Sequence, residues 1–162
     1  MIIRIASQAK WEADGVNYFH MNLVNLVEDD PKFNELLKIL NDKDLNTFWR
    51  FYFDKEDLIY SSRLFNVLDE PMKNKSMLVF KTLKKERIKE NGTEHKPYKY
   101  QIFDNDGYSN LRKNANATSD IIAKLKDGEI VEIFDNTGDW WFIQSKSGKI
   151  GFVHTSRIQV KK

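Results

Sequence analysis

The sequence predicts an α+β chain in two parts, a mainly helical domain over residues 1–95 and a small all-β domain over residues 98–162. Three observations predict it. Apolar residues between positions 18 and 83 recur every three or four places, the spacing of one helix face. Beyond Pro97 that spacing stops. Short apolar segments there are punctuated by Asp127-Gly128, Thr137-Gly138 and Ser147-Gly148, roughly every ten residues, which is the pattern of short strands in a barrel or sandwich. Between the two patterns, Asn91-Gly92 favours a turn and Pro97 drives Lys96 out of helical geometry.

The helical elements follow from capping and spacing. Tyr18 to Val27 predicts a helix through Phe19, Leu23, Leu26 and Val27. Asp30-Pro31 is a start signal, with Asp30 as cap and Pro31 at the first helical position, and Phe33, Leu36, Leu37 and Leu40 follow at helical spacing. Asn41 or Asp42 caps the next helix, which puts Leu45, Phe48, Trp49 and Tyr52 on one face. A further helix is expected from about Glu56 to Leu68, offering Ile59, Leu64, Phe65 and Leu68 to the core. Pro71 opens the last, with Met72, Val79, Phe80 and Leu83 before a charged tail. Residues 2–5 form a short strand in this reading.

Composition narrows the function classes. Apolar residues make up 41% and charged residues 31%, an ordinary globular balance, and 13% aromatics predict cores built on Phe, Trp and Tyr. The net charge of +2 gives no electrostatic footprint for nucleic acid. It divides unevenly: −5 over residues 1–70, +4 over 71–95 and +3 over 96–162. With no cysteine, disulfides, thiolate catalysis and cysteine metal sites are excluded. No apolar run is long enough to span a membrane, and Met1-Ile-Ile-Arg-Ile5 has no signal-peptide pattern. As written the chain reads as cytoplasmic, with the periplasm or export open to a chain that has lost a leader.

Three landmarks in the second part carry a family resemblance. Asn110-Leu111-Arg112 opens it, followed by the polar loop Lys113 to Asp120. Ile121-Ile-Ala-Lys-Leu125-Lys-Asp-Gly128-Glu-Ile-Val131 is the second. Gly138-Asp-Trp140-Trp141-Phe142-Ile143 with Gly148-Lys-Ile-Gly151-Phe152-Val153-His154-Thr-Ser156 is the third. Together they resemble the bacterial SH3 (SH3b) family over about residues 100–160. The resemblance implies an SH3-like barrel in which Trp141 and Ile143 face inward and Trp140 and Phe142 outward. It also implies binding rather than catalysis. Two departures stand out: the opening loop lacks the usual Gly-Pro, and Phe142 replaces a residue that is often polar. The glycines have physical readings of their own. Gly128 and Gly148 suit tight hairpin turns, and Gly151 inside a strand marks a bulge or a close backbone approach.

No constellation for chemistry assembles. His20, His95 and His154 are far apart without zinc-helix spacing, so no metal and no cofactor are expected. His154 with Ser156 belongs to the closing strand rather than to a nucleophile and its base. Asp104-Asn-Asp-Gly107 begins like a calcium loop, but its glycine comes too early and no bidentate Glu follows, which leaves a turn. Glu28-Asp29-Asp30 suits a helix start. Lys81, Lys84, Lys85, Arg87 and Lys89 are diluted by Glu86 and Glu90 and lie where a helix end favours cations, so no nucleic-acid partner is expected. The candidate ligand-binding residues are Tyr108, Trp140, Phe142 and Phe152, because aromatics give a large contact area with few torsions to freeze. The same residues could instead pack the two halves together. The expectation is a non-enzymatic bacterial protein that binds a protein or peptide through the barrel or the inter-domain groove. The alternatives are an adaptor for cell-wall peptide and an immunity or inhibitor protein that neutralises a toxin.

Overall fold

In a computed structural model of the chain, residues 13–55, 57–90 and 98–161 are described. The expected strand at 2–5, Glu56, the boundary segment 91–97 and His95 lie outside them. The chain divides into two compact units, Met1–Thr93 and Glu94–Lys162. The first is helical and the second is a seven-stranded antiparallel sheet, an α+β chain as the periodicity predicts.

Five helices are described in the first unit: α1 Ala13–Asp29, α2 Pro31–Lys38, α3 Asp42–Tyr52, α4 Ser62–Val67 and α5 Glu70–Glu90. Their starts are set by side-chain acceptors for otherwise orphaned amides. The Asp30 carboxylate accepts from Lys32 N (2.9 Å) with Pro31 behind it, and Asn41 Oδ1 accepts from Asp44 N (2.9 Å). Ser61 Oγ accepts from Leu64 N (3.0 Å), and Asp69 Oδ1 from Met72 N (3.0 Å). None of the described helices is long and apolar enough to cross a membrane.

The core of this unit is aromatic, as the composition predicts. Phe33, Phe48, Trp49, Tyr52, Phe53, Tyr60 and Phe80 are all buried. The Phe53 ring lies 5.6 Å from Tyr60 and 5.5 Å from Phe80, closing one continuous cluster. Each buried phenol finds a partner. Tyr52 donates to Glu28 Oε1 (2.8 Å), and burial raises its pKa above the ordinary value. Tyr60 bonds Ser76 Oγ (2.8 Å), and burial pushes its hydroxyl up to about 12.

The helix expected from Glu56 to Leu68 is corrected: α4 covers only Ser62–Val67. Two contacts interrupt it. Glu28 Oε1 accepts from Ser61 Oγ (2.5 Å), which holds Ser61 extended as a cap, and the chain before it carries Tyr60 into the aromatic core. Leu36 and Leu26, expected inside, are exposed at 58% and 40%, so α2 and α1 bury narrower stripes than their apolar spacing offers.

His20 links α1 to the end of α3. Its Nε2 donates to the Phe51 and Tyr52 carbonyls, each at 2.9 Å, in the last turn of α3, where the Phe51 carbonyl also accepts from Asp54 N (3.1 Å). Burial lowers its pKa below 6.5, opposed in part by the bond to Phe51. The folded state therefore favours the neutral ring. This contribution is fully present above pH 6.5 and is lost as pH falls toward the folded value. The helical unit should lose stability on acidification just below pH 6.5, and His20→Gln should flatten that part of the profile in thermal melts.

The second unit comprises β1 Tyr100–Ile102, β2 Tyr108–Arg112, β3 Ile121–Lys126, β4 Ile130–Asp135, β5 Trp140–Gln144, β6 Ile150–His154 and β7 Ile158–Val160, with a 3-10 turn at Thr155–Arg157. The strand order is β3-β2-β6-β5-β4-β1-β7. Ile102, Leu111, Leu125, Val131, Ile143 and Val153 form the core, with Tyr100 and Trp141 packed against it. Gly128 and Gly148 turn their hairpins at φ of 76° and 84°, in the left-handed region that glycine enters at little cost.

Gly151 confirms the close approach its place in a strand suggests. A Cβ there would lie 2.5 Å from the Arg112 carbonyl and 2.8 Å from Ile122 Cδ1. The carbonyl belongs to the β2 backbone and cannot swing aside. Gly151→Ala should destabilise the barrel by about 1–3 kcal/mol or more, as overpacking does. Chemical denaturation followed by tryptophan fluorescence measures it, and a change within a few tenths would mean that the β2–β6 crossing relaxes freely.

Candidate functional site

One candidate site on the second unit is built around a turn. Asp104 enters it from β1, and its side chain is 5% exposed. Its Oδ1 accepts from Asp106 N (3.1 Å) and from Arg157 Nη1 (2.9 Å), and its Oδ2 accepts from Ser109 Oγ (2.7 Å). Its own amide donates to Asp127 Oδ1 (3.0 Å), and Gly107 N closes the turn on the Asp104 carbonyl (2.9 Å). The carboxylate is thus consumed in organising the turn, the reading that the early glycine favours. The bonds from Ser109 and the Asp106 amide, with the Arg157 charge, hold the Asp104 carboxyl below its ordinary 3.8.

The turn delivers Tyr108 as the first residue of β2, 41% exposed, with Lys124 Nζ 4.1 Å from its ring centroid. Trp140 opens β5 in register with His154 of β6, and the two rings meet edge-on at 5.2 Å. A cleft of ≈ 220 Å³ gathers Tyr108, Trp140 and His154 with Arg112, Arg157 and the Asp104–Asp106 turn. A broader groove of ≈ 1340 Å³ runs along the β3–β4 hairpin and the β5–β6 turn, but no aromatic side chain lines it. The smaller cleft has the convergent aromatic and charged groups that recognition needs.

The four aromatic candidates divide. Tyr108 and Trp140 share the cleft. Phe142 lies on the face of β5 opposite Ile143, as alternation requires, but the expectation of an outward, available ring is corrected: it is 3% exposed. Its ring sits 5.0 Å from Phe152 and 5.9 Å from Phe134. The reason is a register shift in β4 between Ile133 and Asp135, at Phe134, itself buried. Phe152 is half-buried in the same cluster, apart from the cleft. Trp141 packs on the barrel core, edge-on to Tyr100 at 5.5 Å, and is half-buried rather than fully enclosed.

Arg112 and Arg157 escaped the sequence reading as site residues. Arg112 stands inside the recognisable Asn-Leu-Arg strand, where it reads as part of a structural landmark. Arg157 meets Asp104 across 53 residues, a pairing that no local spacing encodes. His154 Nδ1 accepts from Ser156 N (3.3 Å) and lies 2.8 Å from Ser156 Oγ, which caps the turn Thr155–Arg157.

Residues 107–159 match the family model described as bacterial SH3 domain. Comparison with curated proteins gives no match. The chain thus has a helical unit and a second, all-β unit that over residues 107–159 is similar to a bacterial SH3 domain. The match leaves the helical unit, β1 and Asp104 outside it.

The depressed Asp104 carboxyl makes a pH test of this architecture. Its contribution is present above 3.8 and is lost as pH falls through the lower folded value. Asp104→Asn should make the barrel less stable at neutral pH and less sensitive to acid below about pH 4. Melts followed by tryptophan fluorescence from neutral pH into acid check both, and a variant with the wild-type acid profile would remove Asp104 from its organising role.

Proposed function

We propose that the protein is a non-enzymatic binding protein whose SH3-like unit holds a peptide segment of a protein partner in the cleft between Tyr108 and Trp140. The observation that carries this reading is the convergence of these two aromatics with His154, Arg112 and Arg157 in one cleft. At ≈ 220 Å³ the cleft is smaller than the roughly 300–1,000 Å³ of small-molecule sites and suits one or two residues of a chain. The capping role of His154 toward Ser156 supports binding over catalysis, since the ring nitrogen that would serve as a base already accepts from a backbone amide.

Capture from native lysate tests the reading. Trp140→Ser and Tyr108→Ser should each leave the melting temperature within about 2 °C of the wild type, since neither residue belongs to the core. Each should lose the captured partner. Purified cell-wall material as bait distinguishes a wall peptide from a soluble protein. Full capture by both variants would move the site away from the cleft.

A further inference from the structure

We propose that the cleft of the SH3-like unit recognises a carboxylate on its peptide partner, with Arg112 as the principal contact; this rests on the reading of the cleft as the binding site and adds the chemistry of what enters it. The argument is a balance of donors and charges. Arg112 is half-buried, and its one hydrogen bond goes to a neutral acceptor, from Nη1 to the Ser119 carbonyl at 2.8 Å. Among the described residues it has no ion pair. A guanidinium presents five N–H donors in a fixed fork, so most of this one is unspent in a cleft that already removes part of its water. Holding a charge partly out of water without a counter-charge is unfavourable, and an incoming carboxylate relieves it.

The neighbouring groups favour the same sign. Arg157 uses Nη1 on Asp104, which leaves the rest of its fork for a ligand. Because His154 Nδ1 accepts from Ser156 N, the neutral ring carries its proton on Nε2 and is a donor there. Trp140 and Tyr108, which carry an indole N–H and a hydroxyl, line the same cleft. Against these donors stand two carboxylates. Asp104 is buried and already accepts from Arg157, Ser109 and the Asp106 amide. Asp106 is exposed and without an ion pair among the described residues, so it is the one acidic group able to oppose an anionic ligand or attract a cationic one.

Arg112 and Asp106 therefore make opposite predictions for the two ligand charges. Isotope-labelled full-length protein is titrated with three peptides: acetyl-Ala-Ala-Glu-Ala-Ala-amide, the same peptide with Lys in place of Glu, and acetyl-penta-alanine with a free carboxyl end. The Trp140 indole N–H and the Arg112 Nε–H are followed in proton–nitrogen correlation spectra. The Glu peptide, the free-carboxyl peptide or both should shift the two signals to saturation, and which of them does so tells a side-chain carboxylate from a chain end. The Lys peptide should leave both signals in place. Arg112→Gln should weaken the acidic peptide about tenfold, as expected for a charge-assisted bond, and Asp106→Asn should strengthen it. Asp106 is exposed, so its variant stays informative even if loss of the Ser119 bond unsettles Arg112→Gln. Saturation by the Lys peptide, weakened by Asp106→Asn, would overturn the proposal, and so would acidic and free-carboxyl peptides that move neither signal. Either result leaves the cleft as the binding site if Trp140→Ser still loses the captured partner, so the two readings fail separately.

Discussion

The buried carboxylate of Asp104 receives hydrogen bonds from three separate segments of the barrel: the amide of Asp106 in the turn, the hydroxyl of Ser109 in β2, and the guanidinium of Arg157 beyond β6. A charge at 5% exposure is tolerable only with such a full set of partners. The consequence reaches past the turn itself. With Asp104 in place, Tyr108 leaves the turn at the mouth of the cleft and Arg157 is drawn across to its other wall. Tyr108 and Arg157 therefore take their positions from an anchor that lies beneath the site, while Trp140 is placed by the β5–β6 register opposite His154.

The helical unit solves a related problem with different chemistry. Its core is made of large rings, two of which carry hydroxyls that burial makes costly to leave unpaired. Glu28 and Ser76 supply the partners. Glu28 also takes the hydroxyl of Ser61, so one carboxylate both satisfies the Tyr52 phenol and fixes the start of α4. The acidic run at residues 28–30 thus has two roles. Asp30 caps α2 as helix-start chemistry requires, while Glu28 turns inward.

The β5 strand shows how far alternation carries and where it stops. Alternation correctly puts Ile143 in the core and Phe142 on the other face. It treats that other face as solvent, yet Phe142 is enclosed beside Phe134 and Phe152. The cause is the irregular register at Phe134, and a local insertion of that kind leaves no periodic mark in a six-residue strand. The pairing of Arg157 with Asp104 was illegible for a related reason, since it joins residues 53 positions apart.

By itself the sequence determined the α+β division, the cap at Asp30, a helix start at Asn41 or Asp42, the buried face Leu45-Phe48-Trp49-Tyr52, the glycine turns and the likeness of the second unit to a bacterial SH3 domain. These features rest on interactions within a few residues, or on spacing that repeats along one element. Only the tertiary structure decided that α4 begins at Ser62, that Phe142 is enclosed, and that Tyr108 and Trp140 share a cleft with two arginines. Each of those outcomes depends on groups brought together from distant parts of a unit. Long-range pairing of that kind, between one carboxylate and donors from other segments, is set when the chain closes on itself and has no signature in local order.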